Sequence, residues 1–171
     1  MIITISGLPG SGKSTISKLL AKRLKLKRYS LGKIFREEAN KHNVDNLTLL
    51  ELAAIKPSIN KLIDKKIKNM IGKRRNFILD SRLSALLYKK AEYHLYLYAP
   101  LNVRAGRIAK RDKINYKEAL EKNRLRERLE RDLYKKQYRF DYTDKKHYNI
   151  LLDTSKCLPK KCANVIISKI K

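Results

Sequence analysis

The feature that most constrains this chain is a glycine-rich stretch between an apolar run and a helical pattern. The stretch consists of Gly7, Leu8, Pro9, Gly10, Ser11, Gly12, Lys13, Ser14 and Thr15. The apolar run before it, residues 2–6, is typical of a buried parallel strand. Apolar residues follow at helical spacing from Ile16 to Leu24. A strand, a glycine loop and a helix in this order predict an α/β fold.

The residue types in this stretch indicate a phosphate-binding loop. Glycine lets a backbone turn tightly and approach a phosphate, and N–H groups at a helix N-terminus attract anions. Lys13 can reach the outer phosphates of a nucleoside triphosphate, and the hydroxyl of Ser14 suits Mg²⁺. The alternative is a chance glycine turn, but the spacing and the flanking strand and helix favour a triphosphate site.

Four further apolar runs extend the pattern to five strands. The predicted strands are residues 2–6, 28–30, 76–80, 94–99 and 149–153. Helical patterns alternate with them, with predicted helix starts at Pro57 and Pro159 and a predicted cap at Asn115. We therefore expect a three-layer α/β sandwich, with a five-stranded parallel sheet and helices on both faces. Its 171 residues, with no linker, suit a single domain.

The strand at residues 76–80 ends in a carboxylate, Asp80. An Asp at this place in a nucleotide-binding sheet lies near Mg²⁺, so Ser14 and Asp80 are the expected metal ligands. Arg82 follows closely, and an Arg just past the sheet edge suits bidentate binding of a second phosphate group. The alternatives are a turn-forming Asp and a surface Arg.

Two further segments place functional side chains near the same edge. Ser30 precedes a predicted helix that it can cap, and Arg36 projects from the second turn of that helix. After Pro100, a helical pattern carries Arg107 and Arg111 four residues apart, so they share a face. Like charges in that register repel unless an anion joins them, which favours a role in phosphate binding.

The segment from residue 117 to residue 139 is helical and rich in Arg. We expect Glu118–Lys122 and Glu127–Arg131 to form ion pairs along it, as on a solvated helix. Only a short stretch separates Arg111 from this segment, and it holds no four-cysteine zinc set. A short helical lid is therefore expected.

The charge is strongly positive, with 42 Lys and Arg against 16 Asp and Glu and a formal net charge of +26. The basic residues are spread along the whole chain. This distribution favours compositional bias and phosphate binding over a dedicated nucleic-acid surface, with non-specific binding of polyanions at low salt.

The sequence also indicates where the protein works. No apolar run is long enough to span a membrane and no secretory signal is visible, so we expect a cytoplasmic protein. Cys157 and Cys162 are expected to be free thiols in a reducing compartment, and a short disulfide or half of a metal site is the alternative.

Together these residues resemble a nucleoside monophosphate kinase, and most closely the archaeal-type (type 2) cytidylate kinase family. The resemblance rests on residues 7–15, 30–36, 79–84, 99–111 and 126–127. It implies a P-loop fold that transfers the γ-phosphoryl group of ATP to CMP or dCMP, with Mg²⁺ as cofactor. The nearest alternative is an adenylate kinase or another small-molecule kinase on the same scaffold. An alternative from a different functional class is an RNA-associated P-loop ATPase.

The resemblance also implies roles for the candidate residues. Residues 7–15 would hold ATP, and Lys13, Arg107 and Arg111 would act on the transferred phosphoryl group. Ser30, Arg36 and Arg82 would bind the acceptor nucleotide. Residues of about 30–75 would form the acceptor-binding segment, and residues of about 112–140 the lid. We expect a monomer.

Overall fold

Five parallel strands form the sheet at the centre of the fold. They are β1 (Ile2–Gly7), β2 (Lys27–Ser30), β3 (Phe77–Asp80), β4 (Tyr93–Tyr98) and β5 (Ile150–Asp153). Their order across the sheet is β2-β3-β1-β4-β5, and every neighbouring pair is parallel. The computed structural model describes residues 1–170, and each strand matches a predicted run to within one residue at either end.

Helices connect the strands. They are α1 (Lys13–Arg23), α2 (Leu31–Lys41), α3 (Asn46–Ile55), α4 (Pro57–Ile71), α5 (Ser84–Leu87), α6 (Leu101–Asp112), α7 (Tyr116–Tyr138), a 3₁₀ helix (Lys145–His147) and α8 (Pro159–Lys169). The predicted starts at Pro57 and Pro159 are confirmed, and Asn115 caps α7 by accepting from the backbone N–H of Glu118 at 2.8 Å. Ser30 precedes α2, but its hydroxyl makes no capping hydrogen bond. Within residues 1–170, no helix combines the length and apolar character needed to cross a membrane.

Apolar side chains cover both faces of the sheet. Successive residues of a strand point to opposite faces, so Ile78 lies on one face and its neighbours on the other. Ile78 packs in a cluster with Ile3 and Ile5 of β1, Ile16 of α1 and Ile166 of α8. The cluster on the opposite face contains Tyr29, Ile63, Ile67, Ile71, Phe77 and Leu79. The expected three-layer α/β sandwich is therefore confirmed.

The expectation of two free thiols is wrong, because Cys157 and Cys162 form a disulfide. Cys157 lies in the turn after β5, and Cys162 lies in the first turn of α8. The chain folds back at Pro159, which brings the two Cα atoms to 5.7 Å, a separation that a disulfide spans.

The predicted ion pairs on α7 are half right. Glu118 and Lys122 pair at 2.7 Å. Glu127 instead pairs with Arg104 of α6, because this face of α7 packs on α6 rather than facing solvent. Arg131 pairs with Asp141 at 3.1 Å.

Candidate active site

The glycine loop leaves β1 at Gly7 and enters α1 at Lys13, as the sequence predicts. Gly10 has φ 78°, and a Cβ there would lie 2.7 Å from the carbonyl oxygen of Arg104. The loop is therefore packed against α6 more closely than another residue would allow. Arg104 is buried and braces the loop by donating to the carbonyl oxygens of Ala99 at 2.9 Å and Pro9 at 3.1 Å.

Lys13 lies folded along the loop. Its ammonium group donates to the carbonyl oxygen of Leu8 at 2.7 Å. Burial, and next the positive charge of Arg82, lower the pKa of Lys13 well below its ordinary value. A buried cation with this penalty gains from a nearby anion, so the loop is suited to a phosphate group.

The two predicted metal ligands meet at the end of β3. One carboxylate oxygen of Asp80 accepts from the hydroxyl of Ser14 at 3.1 Å and from the hydroxyl of Ser17 at 3.2 Å. The same oxygen accepts from Arg28 of β2 at 2.5 Å, and Arg28 also donates to Ser17 at 2.6 Å. Asp80 is thereby held in a fixed position beside the first turn of α1.

A cleft of about 840 Å³ lies at the carboxyl edge of the sheet, a volume typical of a ligand site. The predicted site residues that line it are Pro9, Gly10, Gly12, Lys13, Ser14, Thr15, Ser30, Arg36, Asp80, Arg82, Arg107 and Arg111. The predicted loop residues Gly7, Leu8 and Ser11 are not among the lining residues. Ser11 is fully buried, and Gly7 and Leu8 lie where the loop leaves β1.

Four arginines line the same cleft as the loop. We define the arginine cluster as these four residues, Arg36, Arg82, Arg111 and Arg126. Burial, and then the charges of Arg111 and Arg126, lower the pKa of Arg36. Guanidinium groups that repel one another in this way form a site for an anion with more than one charge.

Glu130 of α7 organises two members of the arginine cluster. Its carboxylate forms an ion pair with Nε of Arg82 at 2.5 Å and accepts from Nε of Arg126 at 2.8 Å. Burial is the largest influence and works against the charge of Arg82. The carboxylate of Glu130, together with Tyr142, Tyr134 and Asp80, outweighs it and raises the pKa of Arg82 above its ordinary value. Both arginines direct Nε to Glu130, and no group of residues 1–170 accepts a hydrogen bond from their terminal nitrogens, which can therefore bind a ligand.

Sequence reasoning did not single out Arg126 or Glu130 as site residues. The signal was their spacing of four on a helix, which permits an ion pair. What the spacing does not show is that this pair faces inward, toward Arg82.

Arg107 and Arg111 both line the cleft but contact different partners. Arg107 donates to the carbonyl oxygen of Gly10 at 3.3 Å, to the hydroxyl of Thr154 at 2.9 Å and to the carbonyl oxygen of Thr154 at 2.8 Å. It therefore joins the loop to the turn after β5. Arg111 lies at the exposed rim and donates to both carboxylate oxygens of Asp112, at 2.7 and 2.8 Å.

The phosphate-binding loop, the parallel sheet and the arginine cluster across one cleft define the class as a P-loop kinase. Two solved structures share the fold over 99% of this chain. A shikimate kinase from Acinetobacter baumannii in complex with shikimate matches over 92% of its own length, with a TM-score of 0.62 and 18% identity. An uncharacterized protein from Eubacterium ventriosum matches over 98% of its length, with a TM-score of 0.74 and 17% identity.

Sequence comparison resolves the family within this class. The model of the cytidylate kinase-like family matches residues 2–156. A cytidylate kinase from Sulfolobus acidocaldarius is 38% identical over 171 residues, covering 99% of this chain and 94% of that protein. One from Sulfurisphaera tokodaii is 38% identical over 97% of this chain and 93% of its own length. The chain belongs to the cytidylate kinase-like family.

Proposed function

We propose that this protein transfers the γ-phosphoryl group of ATP to CMP or dCMP, giving ADP and the nucleoside diphosphate. The observation that carries the proposal is a cleft lined by both a triphosphate-type loop and an arginine cluster, in a chain of the cytidylate kinase-like family. Such a cleft suits direct transfer between two bound nucleotides.

The donor, ATP, is assigned to residues 7–15. Lys13, Arg107 and Arg111 supply positive charge where the γ-phosphoryl group passes to the acceptor. Phosphoryl transfer needs little covalent chemistry from the protein, so alignment and neutralisation of charge account for most of the rate. In this assignment, the hydrogen bond from Lys13 to Leu8 gives way to a contact with phosphate.

Mg²⁺ is assigned to Ser14 and Asp80. The fit is supported by the contact of their side-chain oxygens at 3.1 Å. Within residues 1–170, no group of three or more His, Cys, Asp and Glu could hold a metal, which agrees with an ion carried mainly by nucleotide phosphates and water. Bound by these two residues, Mg²⁺ would supply positive charge that neutralises the charge developing on the phosphates during transfer.

The acceptor phosphate is assigned to Arg36 and Arg82, with Ser30 beside them and Arg126 as a further ligand. Their positions along the cleft support this assignment. We further propose a single domain of residues 1–171, with an acceptor-binding segment of about 30–75 and a mobile lid of about 112–140. We also propose that the protein is a cytoplasmic monomer and that it binds other polyanions only non-specifically.

The test is a comparison of acceptors with purified protein and Mg-ATP. We expect CMP and dCMP to be phosphorylated at least ten times faster than AMP, UMP, GMP or shikimate. Turnover of AMP at the rate of CMP would refute the cytidylate assignment and favour an adenylate kinase. Transfer only to RNA or DNA 5′ ends, or ATP hydrolysis dependent on RNA, would favour the alternative suggested by the net charge of +26.

A further inference from the structure

The part of the cleft lined by α2, α3, α4 and α7 has the character of a base-binding pocket. Phe35 of α2, Leu50 of α3 and Ile63 of α4 give it an apolar wall, and Tyr134 and Tyr138 of α7 line it as well. Apolar and aromatic walls of this kind accept the faces of a planar ring. They do not distinguish one base from another.

Two polar side chains of α4, Asn60 and Asp64, line the same end of the cleft. They are four residues apart on the helix and so share a face. One carboxylate oxygen of Asp64 accepts from the hydroxyl of Tyr138 at 2.7 Å. The amide nitrogen of Asn60 donates to Gln137 at 2.7 Å and to the carbonyl oxygen of Ala53 at 3.3 Å.

These hydrogen bonds fix both side chains. They leave one oxygen atom of each side chain without a hydrogen-bond donor in the described part of the chain. No group of residues 1–170 donates to the second carboxylate oxygen of Asp64 or to the carbonyl oxygen of Asn60. Burial raises the pKa of Asp64, because the charged carboxylate is less well solvated in the cleft. A hydrogen bond donated to this carboxylate reduces that penalty. A ligand that completes this pocket must therefore supply N–H donors.

We propose that Asp64 and Asn60 read the base of the acceptor nucleotide by accepting hydrogen bonds from the exocyclic amino group of cytosine. This inference rests on the proposed function. The amino group carries two N–H donors, which matches two oxygen acceptors on one helix face. Uracil has a carbonyl oxygen at the same ring position, so its lone pairs would face the carboxylate, and such a mismatch leaves buried polar groups unpaired.

The test replaces the carboxylate of Asp64 with an amide of the same shape, Asp64→Asn. Because the hydroxyl of Tyr138 donates to this side chain, the new carbonyl oxygen takes that bond and the new N–H faces the base. An N–H donor suits the uracil carbonyl and opposes the cytosine amino group. We expect the ratio of kcat/KM for CMP to that for UMP to fall by about 100-fold, mostly through KM.

Two further variants complete the experiment. Asp132→Asn alters an exposed Asp of α7 and should leave the ratio unchanged. Tyr138→Phe keeps the Asp64 carboxylate but removes the hydrogen bond that holds it, so the ratio should fall by about 5- to 10-fold. This variant decides the question if Asp64→Asn does not fold, as judged by its thermal melting.

Different results would contradict the proposed function and the role of Asp64. A wild-type protein that does not prefer CMP overturns the proposed function, whatever the variants do. A wild-type protein that prefers CMP, together with a folded Asp64→Asn variant whose ratio stays within threefold of wild type, overturns the role of Asp64 alone. An equal fall in turnover of both nucleotides would also contradict base recognition, because it marks a structural role.

Discussion

Glu130 is the residue whose replacement tests the arginine cluster most directly. Its side chain is 3% exposed and neutralises Arg82 and Arg126 at once. Glu130→Gln keeps the shape of the side chain and removes its charge. The change leaves Arg82, which is 13% exposed, as a buried cation without a counter-ion.

The cost follows from the burial of this pair. Loss of one partner from a buried ion pair destabilises a protein by about 3–5 kcal/mol. Arg126 is 28% exposed and regains water, so we take the lower end, about 3 kcal/mol. For a chain of this size, that value lowers the melting temperature by about 6–12 °C. Inorganic phosphate binding at the cluster replaces the lost charge and should raise the melting temperature of the variant more than that of the wild type.

The assay is thermal unfolding of both proteins with and without excess inorganic phosphate. Glu121→Gln is the matched control, because Glu121 is exposed on the same helix, and its melting temperature should stay within about 2 °C of wild type. A Glu130→Gln variant that melts like this control would show that Glu130 does not hold the arginine cluster. Phosphate that stabilises the variant no more than the wild type would contradict that role equally.

Two other changes test the roles of Lys13 and of the disulfide. Lys13→Met should reduce kcat by at least about 100-fold. Its melting temperature should equal or exceed that of wild type, because the lowered pKa means that folding buries this ammonium group at a cost; a less stable variant would contradict that view. Reduction of the Cys157–Cys162 disulfide should destabilise the protein by about 2 kcal/mol, since it closes only a short loop. Dithiothreitol should therefore lower the melting temperature by about 4–8 °C, with no effect on a Cys157→Ser/Cys162→Ser variant.

The sheet and the donor loop could be predicted because their signals are local. Each strand is a continuous apolar run, and the loop has its glycines, Lys13 and Ser14 within a few residues of one another. The contact between Ser14 and Asp80 was also predictable, since the loop before Ser14 follows the carboxyl end of one strand and Asp80 ends another.

The supporting contacts depend on which elements become neighbours. Arg28 reaches Asp80 only because β2 pairs with β3, which places Ser30 beside Asp80 in the sheet. Asn60 and Asp64 belong to the cleft only because α7 packs near α4 and supplies Gln137 and Tyr138. No local pattern in the sequence carries that information. The disulfide was misjudged for a different reason, since the spacing was visible but the fold-back at Pro159 was not.

Helix α7 links parts of the cleft that the chain otherwise keeps apart. Glu127 holds Arg104, which braces the donor loop, and Glu130 holds Arg82 in the arginine cluster. About two turns further along the helix, Tyr138 holds Asp64. A shift of this one helix therefore changes the donor loop, the arginine cluster and the base pocket together. If both nucleotides bind more tightly to one position of α7 than to another, thermodynamic linkage requires that each nucleotide alter the affinity of the other by the same factor.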